Sequence, residues 1–94
     1  MSSVSEKGFL RTKIPIAHIF GNYPVSRSEA RRLGSLISNF EEANLDFSNV
    51  SDIGQAFTHE LFVVFKENNP NIKLHFMNAN DTVSTMINRV INTK

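Results

Sequence analysis

Three short stretches of this 94-residue chain concentrate residue types that cap helices, hold anions or face a ligand. They are Gly21-Asn22-Tyr23-Pro24 before Ser26-Arg27, Ser48-Asn49-Val50-Ser51-Asp52-Ile53-Gly54, and Asn78-Ala79-Asn80-Asp81. Each leads into an apolar pattern of helical spacing. Each therefore brings Ser, Asn, Asp or Gly to a helix start, where free backbone N–H groups and the positive dipole end favour anions. Arg27 adds a guanidinium that can grip a carboxylate or phosphate in a fork. Ser26, Arg27, Asp52, Asn78 and Asn80 are the first candidates for a partner- or ligand-binding edge. The same residue types are also what turns and caps require in any protein, and that structural use is the competing account. For Arg27 the expected role is an internal ion pair with Asp46 or Asp52 rather than a ligand contact.

Other chemistry does not assemble. The three histidines, His18, His59 and His75, are far apart, and His59-Glu60 lacks the second histidine of a zinc-protease helix. No metal site is expected. There is no glycine-rich phosphate loop, nucleophile elbow or pair of catalytic carboxylates, so neither a catalytic residue nor a cofactor is expected. Cysteine is absent, which excludes disulfides, thiolate metal ligands and thiol catalysis. Arg27, Arg31 and Arg32 cluster, with Arg89 and Lys94 farther on, but no aromatic residues interleave with them. They read as a solvated helix face, and nucleic acid is not an expected partner.

The composition agrees. Hydrophobic residues make up 40% of the chain, charged residues 20%, and the net charge is +1. That balance excludes a wholly disordered chain and leaves little general attraction to polyanions. The length suits one thin-cored domain burying somewhat over ~60% of its unfolded surface. We expect a flexible tail over residues 1–8 and a single domain over 9–94. No apolar run approaches the ~18 residues that span a bilayer. The polar start also lacks a signal peptide's apolar region, so the expectation is a cytoplasmic protein with no membrane partner.

The positioning elements follow from periodicity. Residues 12–20 are apolar and β-branched in their second half and read as a strand, with Pro15 arguing for an edge position or the strand's start. A further short strand near 8–11 is an option. Ser26 and Glu29 form a capping box for a helix reaching Glu41-Glu42, with Ala30, Leu33, Ile37 and Phe40 on one stripe. A strand over 43–47 follows. The next helix spans 55–67, capped by Ser51 or Asp52, with Phe57, Leu61, Val64 and Phe65 inward; Phe62, off the stripe, is either buried against the last helix or exposed as a partner contact, and burial is the favoured reading. Asn68-Asn69-Pro70-Asn71 stops it. A strand at 72–77 and a helix through Val83, Met86, Ile87, Val90 and Ile91 complete the chain. The β-α-β-α-β-α order predicts a small, mostly parallel sheet with three helices, an α/β fold. In such folds the loops leaving the strands' carboxyl ends gather at one rim.

Several motifs then look familiar in order. Ser26-Arg27-Ser28-Glu29-Ala30-Arg31-Arg32-Leu33, Leu45-Asp46-Phe47-Ser48-Asn49-Val50, Ile53-Gly54-Gln55-Ala56-Phe57-Thr58-His59-Glu60-Leu61-Phe62 and Asn78-Ala79-Asn80 together resemble a bacterial STAS-like family of unknown function, over about residues 14–91. That family is similar to the STAS domains of anti-sigma-factor antagonists and sulfate transporters. Its members occur alone or joined to histidine-kinase-like ATPase modules. The resemblance implies a non-catalytic regulatory module whose partner is such an ATPase or a sigma regulator. It adds Gly54, Gln55 and His59, from the second helix start, to the candidate edge.

The anti-sigma antagonists carry a phosphorylated serine after the strand end, a change of about −1.5 to −2 charge at a helix start. The corresponding segment here, Gly54-Gln55-Ala56, has no hydroxyl, which speaks against a phosphoswitch there. Ser51 is nearby, with a cap or turn as its expected role. His59 stands where the family tends to carry an acid. Two other classes stay open: a small-anion or nucleotide sensor or weak enzyme at the helix starts near Arg27, and an oligomeric immunity-type protein acting by occlusion.

Overall fold

Strands Arg11–Pro15 (β1), Glu42–Asp46 (β2) and Lys73–Met77 (β3) run parallel in the order β1-β2-β3. The structure is a computed structural model and describes residues 11–92. The expected tail over 1–8 and most of the optional strand near 8–11 lie outside the described residues. The register sets Ile14 beside Leu45 beside Phe76, and Thr12 beside Ala43 beside Leu74. Because strand side chains alternate, these six share one face. Ile14, Ala43 and Leu45 are buried there. The opposite face carries Arg11, Glu42 and Lys73, then Lys13, Asn44 and His75. It is laced by polar contacts: His75 Nε2 lies 2.7 Å from Glu42 Oε2, and Arg11 pairs with Glu42 at 3.8 Å.

Strands in sequential order, joined by crossovers of one hand, send every connecting helix to the same side. The helices Arg27–Ile37 (α2), Gln55–Asn68 (α3) and Asp81–Asn92 (α4) all bury residues in one cluster with the apolar sheet face. The architecture is thus two layers of α/β type, as expected. There are four helices rather than three, because Ile16–Phe20 forms a short helix, α1.

That extra helix corrects the strand expected over 12–20. β1 pairs with β2 only as far as Pro15, which faces Asp46, the last residue of β2. Beyond that point no strand is alongside, so the backbone satisfies itself by helical bonds. Ile16 turns into the core, His18 and Ile19 face outward, and Gly21, at φ 83°, ends the helix with its N–H on the Ala17 carbonyl, 3.0 Å away. The β-branched run misled because it supports a strand only where a neighbour exists. Pro15, without an N–H, does lie on an edge strand.

The capping box at the start of α2 is present. The Glu29 N–H donates to Ser26 Oγ at 3.1 Å, and Glu29 Oε1 accepts from the Ser26 and Val25 N–H groups, each at 3.1 Å. The Ser26 backbone bond is the main reason the Glu29 carboxyl sits below its ordinary range. Ala30, Leu33 and Ile37 are buried as the stripe predicts. The helix stops at Ile37, short of Glu41-Glu42, since those residues are needed to enter β2. Phe40 instead closes a turn onto the Ile37 carbonyl.

α3 is built of three continuous stretches, Gln55–His59, Glu60–Phe65 and Lys66–Asn68, the middle one wound as a wider π-helix. In a regular α-helix successive residues point about 100° apart, so three in a row do not share one apolar stripe. The wider turn buries Glu60, Leu61 and Phe62 in succession, and leaves Val64 and Phe65 only half-buried. Phe62 is therefore inside, as expected, edge-on to Phe76 with 6.1 Å between ring centres. Gly54 is the residue that opens α3, and neither Ser51 nor Asp52 caps it. Both lie too far back, and the Gly54 carbonyl takes the Thr58 N–H and hydroxyl at 3.0 and 2.7 Å. In α4, Val83, Ile87 and Val90 are buried while Ile91 is exposed.

Since the Ser26 hydroxyl is committed to the box, Ser26→Ala is expected to lower stability by about 1 kcal/mol and Ser26→Asp to restore most of it, as read by urea unfolding.

Candidate functional site

The carboxyl ends of the three strands point to one edge, and the loops there are fastened to one another. The Asn22 carbonyl accepts from the Ser51 N–H at 2.8 Å and the Ser51 hydroxyl at 3.1 Å. The Gly54 N–H donates to the Pro24 carbonyl at 2.8 Å. Asn80 Nδ2 donates to the Val50 and Ser51 carbonyls at 3.3 and 3.2 Å, while its Oδ1 accepts from the Val83 N–H at 2.8 Å. One side chain thus caps α4 and pins the middle loop. Asn78 Nδ2 donates to Asp46 Oδ1 at 3.0 Å. Asn49 and Asn78 adopt φ 66° and 60°, left-handed positions that asparagine tolerates better than most residues.

Asp46 anchors this edge from the end of β2. Its Oδ1 accepts from the Ser48 hydroxyl at 2.6 Å and the Ser48 N–H at 3.0 Å, besides Asn78. The Ser48 hydroxyl, then Asn78, then the Ser48 N–H hold its carboxyl down at about 2, with a smaller contribution from Lys13. Asp46 lies within one of the motifs singled out above but was not a candidate. Its place beside an Asn from another strand end exists only in the folded sheet.

The other candidates divide. Ser26 is consumed by its cap. Asp52 receives the Ile53 N–H at 2.8 Å and borders an open cavity of 390 Å³ with Asp81, Thr82, Met86 and Arg89. Gly54 is a packing requirement, since a Cβ there would stand 2.8 Å from the Val25 Cα. Gln55 and His59 are exposed, one turn apart on α3. Arg27 is not paired with Asp46 or Asp52. Both acids are already engaged by nearby donors, and Arg27 leans across to Glu60 on α3, its Nε 3.6 Å from Oε1.

Two residues at the edge escaped the sequence reading. Tyr23 and Val25 are 54% and 45% exposed, on either side of buried Pro24. The alternation around Pro24 aims both outward, and the close packing of Val25 on Gly54 sets them beside the start of α3. An apolar pair inside turn-like chemistry carries no periodic signal. No three His, Asp or Glu side chains among the described residues group as metal ligands would. No helix among them is long and apolar enough to cross a membrane.

A family model described as a STAS-like domain of unknown function matches residues 29–84. The chain belongs to this STAS-like family. The matched stretch runs from the capping glutamate of α2 to the first turn of α4, so it includes the middle loop, α3 and the Asn78-Ala79-Asn80 segment, while Ser26, Arg27 and β1 precede it. Comparison with the curated proteins and with the solved structures finds no match.

Two outcomes are expected of this STAS-like edge. A lowered carboxyl pKa adds stability that is present above its ordinary value of 3.8 and is lost as pH falls toward about 2. The stability gap between wild type and Asp46→Asn, read by urea unfolding, is therefore expected to shrink over that window and to be constant above about pH 5. Gly54→Ala is expected to cost about 1–3 kcal/mol through overpacking against backbone, a loss that a melting curve would show.

Proposed function

We propose that this chain is a non-catalytic regulatory module that docks a protein partner through the strand-end edge and the first turn of α3. The observation that carries this reading is the cross-stitched edge itself. Loops fastened by Asn22, Ser51, Gly54 and Asn80 hold Tyr23, Val25, Gln55 and His59 outward on a surface that needs no ordering before binding. Exposed aromatic and apolar groups on a rigid support are the usual energetic centre of a protein interface. Family membership supports the same class, and the resemblance to anti-sigma antagonists points to a histidine-kinase-like ATPase or a sigma regulator as partner. With no hydroxyl at Gly54-Gln55-Ala56, docking here is constitutive rather than gated at that position.

The anion- or nucleotide-sensor reading has less support. α2 and α4 each place an acid in the first turn, Glu29 and Asp81, and Asp52 lies beside the start of α4. These charges oppose the helix dipoles that would attract an anion.

The test is affinity capture from the native host, followed by measurement of Kd with the purified partner. Gln55→Arg and Tyr23→Ala are each expected to weaken binding about tenfold or more while leaving the melting temperature unchanged. A partner that binds wild type and both variants equally would overturn the proposed surface.

A further inference from the structure

Glu60 is the only acidic residue buried among the described residues, and it is not alone. Its Oε1 faces Arg27 Nε at 3.6 Å and its Oε2 faces Arg31 Nε at 3.5 Å, so each carboxylate oxygen holds one guanidinium by its inner edge. The Glu60 side chain is only 11% exposed, while those of Arg27 and Arg31 are 61% and 66% exposed. The π-wound turn of α3 is what brings Glu60 inward, in line with buried Leu61 and Phe62. Arg27 and Arg31, four residues apart, stand on one flank of α2. The result is two guanidiniums, on side chains more than half exposed, held at one carboxylate.

Arg31 and Glu60 line a groove of 260 Å³ between α2 and α3 together with Ala30, Gly34 and Phe65, and Arg27 stands just outside it, joined to it through Glu60. Gly34 is what lets the helices approach here, since a Cβ on it would lie 2.8 Å from Phe65 Cδ1. We propose that this groove binds an acidic segment of a protein partner, with a Glu or Asp carboxylate held between Arg27 and Arg31 and a small apolar side chain over Gly34 and Phe65.

Charge selects this occupant. Two guanidiniums and one carboxylate leave a surplus of one positive charge, which a carboxylate neutralises. A phosphate monoester brings about −1.5 to −2 charge at neutral pH and would set the excess against Glu60. The guanidinium fork also matches a planar carboxylate in two parallel hydrogen bonds, and the buried Glu60 orients both forks beforehand. The inference shares with the docking reading only the class of partner. It concerns the α2–α3 groove that adjoins the strand-end edge at Arg27, and its test uses a synthetic ligand and different substitutions, so either can fail without the other.

The experiment titrates the isotope-labelled chain with an acetylated Glu-Ala octapeptide, following the arginine Nε–Hε and backbone amide signals by NMR. The Arg27 and Arg31 Nε–Hε and the Gly34 amide are expected to shift together. Arg27→Gln and Arg31→Gln are each expected to weaken binding roughly tenfold, the value of one charge-assisted contact. Arg32→Gln removes the same charge one residue along, from a guanidinium stacked 5.6 Å over the Phe20 ring, and is expected to leave the affinity unchanged. The Gln-Ala octapeptide is expected not to bind. Equal losses in all three arginine variants, or inorganic phosphate binding as well as the peptide at the same signals, would overturn the proposal.

Discussion

Everything in this molecule depends on β2 finding a parallel neighbour on each edge. Its five residues pair with β1 on one side and β3 on the other, all in one level register. Parallel strands cannot be joined by tight turns, so the pairing forces long crossovers. Crossovers of one hand then put all the helices on one face and all the outgoing loops at one edge. The strand-end site is a consequence of that geometry before it is a consequence of any particular side chain.

The same geometry leaves the second sheet face without helices among the described residues. Parallel sheets are usually covered on both sides. Here strict alternation makes the difference: Ala43 and Leu45 turn inward, whereas Glu42, Asn44 and Asp46 turn out. Ion pairs of Arg11 and Lys13 and the contact of His75 with Glu42 occupy that polar face. Asn44 lies in its middle, and its Oδ1 is buried without a hydrogen-bond partner among the described residues.

A second constraint is the packing of α3. It must fill the space over the sheet with Phe57, Leu61 and Phe62 and also approach α2 closely at Gly34. A regular helix would put Phe62 to one side. The widened turn resolves the conflict and carries Glu60 inward with its neighbours. Removing a carboxylate from water is costly unless it is paired. Arg27 and Arg31 supply the pairing and in doing so acquire a fixed orientation. The arginine pair is thus a by-product of how an aromatic core was accommodated.

Much of this was legible in the residues. Alternation in β2, the box at Ser26 and Glu29, and the stripe Ala30, Leu33, Ile37 are local signals, set by bonds and spacings within one or two turns. The α/β class and the common edge followed from their order, by chirality alone. Contacts between segments distant along the chain were not legible. Ile16–Phe20 looked like a strand because composition cannot report that β2 stops at Asp46. Spacing places Arg27 with the edge acids Asp46 or Asp52, because it cannot reveal a π turn that delivers Glu60. Tyr23 sits within turn chemistry, and that Val25 packs on Gly54 is set only by the fold. The sequence by itself determined which segments are helix or strand-capable and on which side they are apolar, since those preferences belong to the backbone and the solvent. Which polar groups meet was decided only by tertiary structure, because hydrogen bonds and ion pairs act over a few ångströms and no local pattern encodes those distances.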